Sequence, residues 1–190
     1  PYTIPHIYNA TYIGRGDAAG KRVITFRDNA GGHYVNSIFA NQGKGIDVEI
    51  LIGDQHSFKQ FEDGNLTVQN SIFSDVADDL STGIFKLSFS GDSVDAGGNK
   101  VTDEDGNQLP TQALLAKVDA NQPAWQASFS GNSNTIATGL VSASNPIPAS
   151  GADNGVAPTD GWFDNVTYQG AFEPGGTNWA AGWTKYFGSK

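Results

Sequence analysis

Cysteine is absent from this chain of 190 residues. A disulfide scaffold, a thiolate metal centre and a cysteine nucleophile are thereby excluded. Charged residues are sparse, at 16%, while glycine is heavy, at 24 residues. A long-helix protein would be richer in Glu, Lys and Leu, and a disordered one poorer in apolar residues. Long apolar runs are missing too: "IDVEILIG" (Ile46–Gly53) is interrupted by Asp47 and Glu49, so no segment reads as membrane-spanning. Positive charge is short, with 11 Lys and Arg against 20 Asp and Glu and a net charge of −9. Nucleic acid needs a basic face and is disfavoured as a partner. The acidic balance suits solubility, or a surface that recruits cations. No signal peptide is visible, and the chain starts at Pro1 inside a β-rich pattern. The expectation is one domain that is a processed or excised piece of a longer protein.

What is present is a repeated phrase. Aligned on Asn, "HIYNATYIG" (Asn9), "HYVNSIFAN" (Asn36) and "TVQNSIFSD" (Asn70) share five columns. Two positions before Asn stand Ile7, Tyr34 and Val68; one after stand the small Ala10, Ser37 and Ser71; then Thr11, Ile38 and Ile72; then aromatic Tyr12, Phe39 and Phe73. Spacings of 27 and 34 residues fall in the range of solenoid repeats. The apolar site before Asn and the aromatic after it are separated by an odd number of residues. On a flat strand they would face opposite ways, so both reach a core only if the chain bends between them. Asn tolerates the left-handed backbone that a sharp bend needs, and stacked Asn amides can bond into a ladder. The motif predicts strand, Asn corner, strand, once per coil, and hence an all-β, right-handed parallel β-helix. Edge strands of a β-sandwich are the alternative.

Residues 1–82 are read as the coils, with "KRVITFRD" (Lys21–Asp28) and "GIDVEILIG" (Gly45–Gly53) as further strands. Residues 83–140 are read as an irregular insertion. In it, "LSFSGDS" (Leu87–Ser93) and "ASFSGNS" (Ala127–Ser133) predict strands ending in turns, and "TQALLAKVD" (Thr111–Asp119) a short helix capped by Thr111. Residues 141–190 open with a Pro/Gly-rich cover, then turn aromatic. That last stretch is expected to cap the end of the stack, because an open solenoid end exposes unpaired edges.

The tail, "WFDNVTYQGAF…NWAAGWTKYF", resembles the carboxyl-terminal signature of secreted bacterial surface proteins. These are predicted right-handed parallel β-helices, loosely pectin-lyase-like and mostly of unassigned function. The matching residues are Tyr168, Gly170, Ala171 and Phe172, then Asn178-Trp179 and Gly182-Trp183-Thr184. "PHIYNATYIGRG" and "AGGHYVNSIFANQGKGIDVE" resemble that group's coils, and "NPIPASGADN" its Pro-rich stretch. The resemblance implies an extracellular or outer-surface setting and further coils upstream.

Candidate chemistry is thin. "GRGDAAGKR" (Gly14–Arg22) fails as a phosphate loop, because the glycine spacing is off and Arg22 stands where Ser or Thr should bind the metal. Its Arg15-Gly16-Asp17 tripeptide is a candidate adhesion motif or simply a Gly-rich turn. His6 and His33 share a column, which predicts imidazoles about 4.8 Å apart along a sheet, but the third repeat has Thr67 there and a metal site needs more ligands. In "TDEDGNQ", Asp103, Asp105 and Asn107 alternate as oxygen ligands suited to calcium, although the pattern lacks the glycine and distant glutamate of an EF-hand. An acidic turn explains them equally. Glu62-Asp63 and Asp78-Asp79 read as solvated loop ends. A carbohydrate-active enzyme needs carboxylates converging in one groove, beside a base if it is a lyase; Asp47, Glu49, Arg15, Arg22 and Arg27 are available. Asn9, Asn65 and Asn165 begin Asn-x-Thr triplets. The leading expectation is a non-catalytic structural or adhesive protein whose Trp125 and Trp162 stack on sugars. A polysaccharide lyase is the alternative. Polysaccharide, other copies of the chain or an upstream β-helix segment are the expected partners, with calcium the one candidate cofactor.

Overall fold

The computed structural model describes residues 3–18, 21–77, 81–89, 95, 97, 99–106 and 109–182. The chain forms β1 (His6–Tyr8), β2 (Thr11–Ile13), β3 (Arg22–Phe26), β4 (Gly32–Val35), β5 (Ile38–Gln42), β6 (Lys44–Glu49), α1 (Ser57–Glu62), β7 (Leu66–Gln69), β8 (Ile72–Val76), α2 (Ser81–Ile84), β9 (Phe85–Ser88), α3 (Gln112–Gly131) and β10 (Thr135–Ala137). The strands build three separate sheets, ordered β1-β4-β7, β2-β5-β8-β10 and β3-β6-β9, and every pair of neighbours runs parallel. The fold is therefore β-rich with parallel sheets and few helices, and its pairing differs from that of an antiparallel sandwich. The chain visits the three sheets in the same order on three successive passes.

Each pass turns from the first sheet to the second at the predicted asparagine. Asn9, Asn36 and Asn70 have φ of 54°, 52° and 49°, the left-handed region that Asn tolerates. The bend puts Val68 and Phe73 in one core with Phe39, and Tyr12 and Tyr34 pack against it. Pairing in register stacks the aromatic column, with ring centroids 5.2 Å apart for Tyr12–Phe39 and 5.1 Å for Phe39–Phe73. Side chains one place earlier, Ile38 and Ile72, face the other way and meet Val141 and Ala152 in a second cluster. Alternation on strands thus feeds two cores.

The small-residue column has a job of its own. Ala10 N–H donates to Ser37 Oγ, Ser37 N–H to Ser71 Oγ, and Ser71 N–H to Asn134 Oδ1. Backbone donors stranded by the corner are satisfied by the next pass. Asn134 belongs to a fourth corner: β10 pairs Thr135 with Ile72, and Ser133, two residues earlier, has φ 57°. There the order is Ser-Asn instead of Asn-Ser, which hid it from alignment.

Within residues 83–140, β9 extends the third sheet and β10 the second. The expected strand at Ala127–Ser133 is instead the end of α3 and its turn. The helix starts as predicted, with Thr111 Oγ1 accepting from Leu114 N–H, but runs on to Gly131 through Pro123. Leu114, Val118, Gln122, Trp125 and Phe129 recur at helical spacing, and tertiary packing of that stripe outweighs the proline. Ser90–Ser93 lie outside the described residues, as do Asp78-Asp79.

Helix α3 packs over the end of the core. Trp125 stacks on Phe85 with centroids 4.3 Å apart, and Phe129 packs on Phe73 at 5.5 Å. Gln122 takes the place of a neighbouring strand, accepting from Leu87 N–H and donating to Phe85 O. The described tail lies along the corner. Asn9, Asn36 and Asn70 donate through Nδ2 to Tyr168 O, Val156 O and Asn154 O at 2.6, 2.8 and 2.6 Å. Asn70 also donates to Asn36 Oδ1 at 2.9 Å, a rung of the expected ladder. The approach is close: a Cβ on Gly170, whose φ is 85°, would stand 2.5 Å from Ile38 Cδ1. Trp183 and Thr184 fall outside the described residues.

Candidate functional site

The third sheet carries the charged groove. On β6, Ile46 and Val48 point into the core, so Asp47 and Glu49 point outward. Register sets Thr25, Asp47 and Lys86 side by side across β3, β6 and β9, and Glu49 beside Ser88. Arg22 pairs with Asp47, and Arg27 Nε lies 3.4 Å from Glu49 Oε1. Glu49 Oε2 accepts from Asp28 N–H at 2.9 Å. The carboxylates are nearly buried, their side chains 6% and 4% exposed, whereas the arginines reach out at 38% and 56%. The two ion pairs, with Thr25, Ser88 and Phe89, line a groove of about 200 Å³. The fold does bring Asp47, Glu49, Arg22 and Arg27 together; Arg15 stands on an exposed turn that donates from Gly16 N–H to Asn41 O.

The chemistry open to this groove is limited by its pairing. Each carboxylate is held by a guanidinium, and both oxygens of Glu49 are engaged. The two acids sit side by side on one strand rather than across a cleft from each other. An arginine locked to a carboxylate stays protonated and cannot accept a proton.

A second locus lies at the first corner. Tyr8, Asn9, Phe163, Asp164, Val166 and Tyr168 line a groove of about 200 Å³. Tyr8 and Phe163 have ring centroids 4.5 Å apart. Beside Phe163, Trp162 is 86% exposed. Trp125 is the opposite case: it is wholly buried on the inner face of α3 and has no face to offer a sugar. Sequence reasoning found Trp162 but missed Tyr8 and Phe163, which only the returning tail brings together.

The other candidates have plain surroundings. His6 and His33 are register partners with centroids 4.5 Å apart, and His33 Nδ1 lies 2.9 Å from Thr67 Oγ1. Burial, and then the neighbouring His6, lower the pKa of His33. Asp103 Oδ1 accepts from Asp105 N–H in an exposed turn, and Asn107 is outside the described residues. Among the described residues no group of three or more His, Asp or Glu could hold a metal ion, and no helix is long and apolar enough to cross a membrane. Asn9 and Asn65 have their amides engaged, with Tyr168 O and Gln60 Oε1, while Asn165 is exposed. Comparison with protein-family models, curated proteins and solved structures gives no significant match.

Proposed function

We propose that the three parallel sheets are the faces of successive coils of a right-handed parallel β-helix. In this reading the chain is a non-catalytic structural or adhesive module of an extracellular or cell surface, and it touches glycan at the first corner. The repeated order of sheet visits and the left-handed corners support the β-helix. The observation that carries the glycan reading is the aromatic surface there, an 86% exposed Trp162 beside a groove walled by Tyr8, Phe163 and Tyr168. Aromatic faces suit the apolar side of a pyranose ring. Affinity electrophoresis against neutral and uronate polysaccharides tests it. Retardation by at least one polymer, lost in Trp162→Ala, is the expected result; no retardation, or equal retardation of the variant, overturns it.

A polysaccharide lyase is the second reading: Asp47 and Glu49 share one groove with Arg22 and Arg27, and Glu49, released from Arg27, is the group that would take the proton. New ultraviolet absorbance from uronate polymers, abolished in Glu49→Gln, would establish it. The outer edges of β1, β2 and β3 have no strand partner among the described residues. Pairing there with another coil or another copy is the assembly that such edges permit.

A further inference from the structure

The turn before α1 holds a histidine that neither the corner nor the grooves use. His56 is 1% exposed and caps α1. Its Nδ1 lies 3.1 Å from the Lys59 N–H, and its Nε2 lies 3.1 Å from Lys117 Nζ on α3. That ammonium also donates to Leu51 O at 2.6 Å, Gly53 O at 3.2 Å and Ile52 O at 3.3 Å. A single lysine thus ties the first half of α3 to the 51–56 turn.

Both ring nitrogens of His56 therefore face donors. A neutral imidazole has one acceptor nitrogen and can satisfy one of them, and Lys59 N–H has His56 O as a second acceptor at 3.0 Å. An imidazolium is a donor at both ends and satisfies neither, besides setting a buried positive charge against the half-buried Lys117. The charged groups acting on the ring are Lys117 from α3, Glu62 from α1, Asp54 from the turn and Glu49 from β6. The three acids favour the proton, but burial and then Lys117 outweigh them and lower the pKa below the ordinary 6.5.

We propose that His56 and Lys117 form an acid-sensitive latch that holds α3 over the end of the core. Well above pH 6.5 neither the native nor the unfolded ring holds a proton, and the latch is closed. As pH falls from there toward the native pKa, the open or unfolded form takes up a proton that the closed form refuses. The opening equilibrium rises by up to about tenfold per pH unit. Opening uncovers Trp125, Phe129 and the Phe85 face.

The test follows tryptophan emission, thermal unfolding and the histidine NMR resonances from pH 8 to pH 4.5, in the wild type and three variants. The wild-type chain should lose Tm and shift its emission to the red below pH 6.5, with His56 titrating below its ordinary value. His56→Asn keeps a cap for Lys59 N–H and should remove most of that pH step, whereas His33→Asn should leave the part due to His56. Lys117→Met should move the His56 titration up toward the ordinary value and shrink the step. An unchanged step in His56→Asn overturns the latch, as does a wild-type His56 that titrates at its ordinary pH without any change in the α3 resonances. The NMR measurement on the wild type decides the matter even if a variant fails to fold.

Discussion

At the scale of single residues, the corner asparagines do two things at once, and substitution separates them. Asn36 is fully buried, sits at φ 52° and joins Val156 O, Val156 N–H and Asn70 through its side chain. Asn36→Ala loses both the left-handed tolerance and the amide bonds, and should cost about 3 kcal/mol in urea unfolding. Asn36→Gly restores only the backbone freedom and should cost measurably less. Ser133 is the converse case, a serine at φ 57° on an exposed position where the other corners have Asn. Ser133→Asn should raise stability by about 0.5–1 kcal/mol, read as an increase in the urea midpoint. The two tryptophans proposed for sugar contact should differ sharply. Trp125→Ala removes a fully buried ring and should cost about 3–5 kcal/mol, while Trp162→Ala should change stability by no more than about 0.5 kcal/mol.

Among the elements, α3 is the least expected and the most consequential. A parallel sheet ending in β9 leaves a free edge, and the helix answers it with one side chain: the Gln122 amide bonds both Leu87 N–H and Phe85 O. Gln122→Ala should cost about 2 kcal/mol, and sedimentation should show more self-association, because the uncovered edge becomes a template for pairing. The helix was legible only in part. Thr111 announced its start, but the likeness of "ASFSGNS" to "LSFSGDS" argued for a strand at Ala127–Ser133. What overrode it was the apolar stripe from Leu114 to Phe129, whose partners, Phe61, Phe73 and Phe85, lie on other elements.

For the whole molecule, pH is the broadest lever. His33 is held below its ordinary 6.5 by burial and by His6. Its contribution to stability is complete above pH 6.5 and is lost as pH falls through the native value. A scan of Tm against pH should therefore fall on the acid side, and His33→Asn should flatten part of that fall. The chain's own order of residues determined the corners, because left-handed tolerance, a small neighbour and an aromatic three places on are local properties that repeat visibly. It determined the inward face of each strand for the same reason, alternation being a matter of spacing. Only the tertiary structure decided that α3 packs over the core, that Trp125 is interior and Trp162 is not, and that Asp47 and Glu49 meet arginines. Each of those depends on which distant segment packs where, and contact energies between remote residues leave no period in a sequence to read.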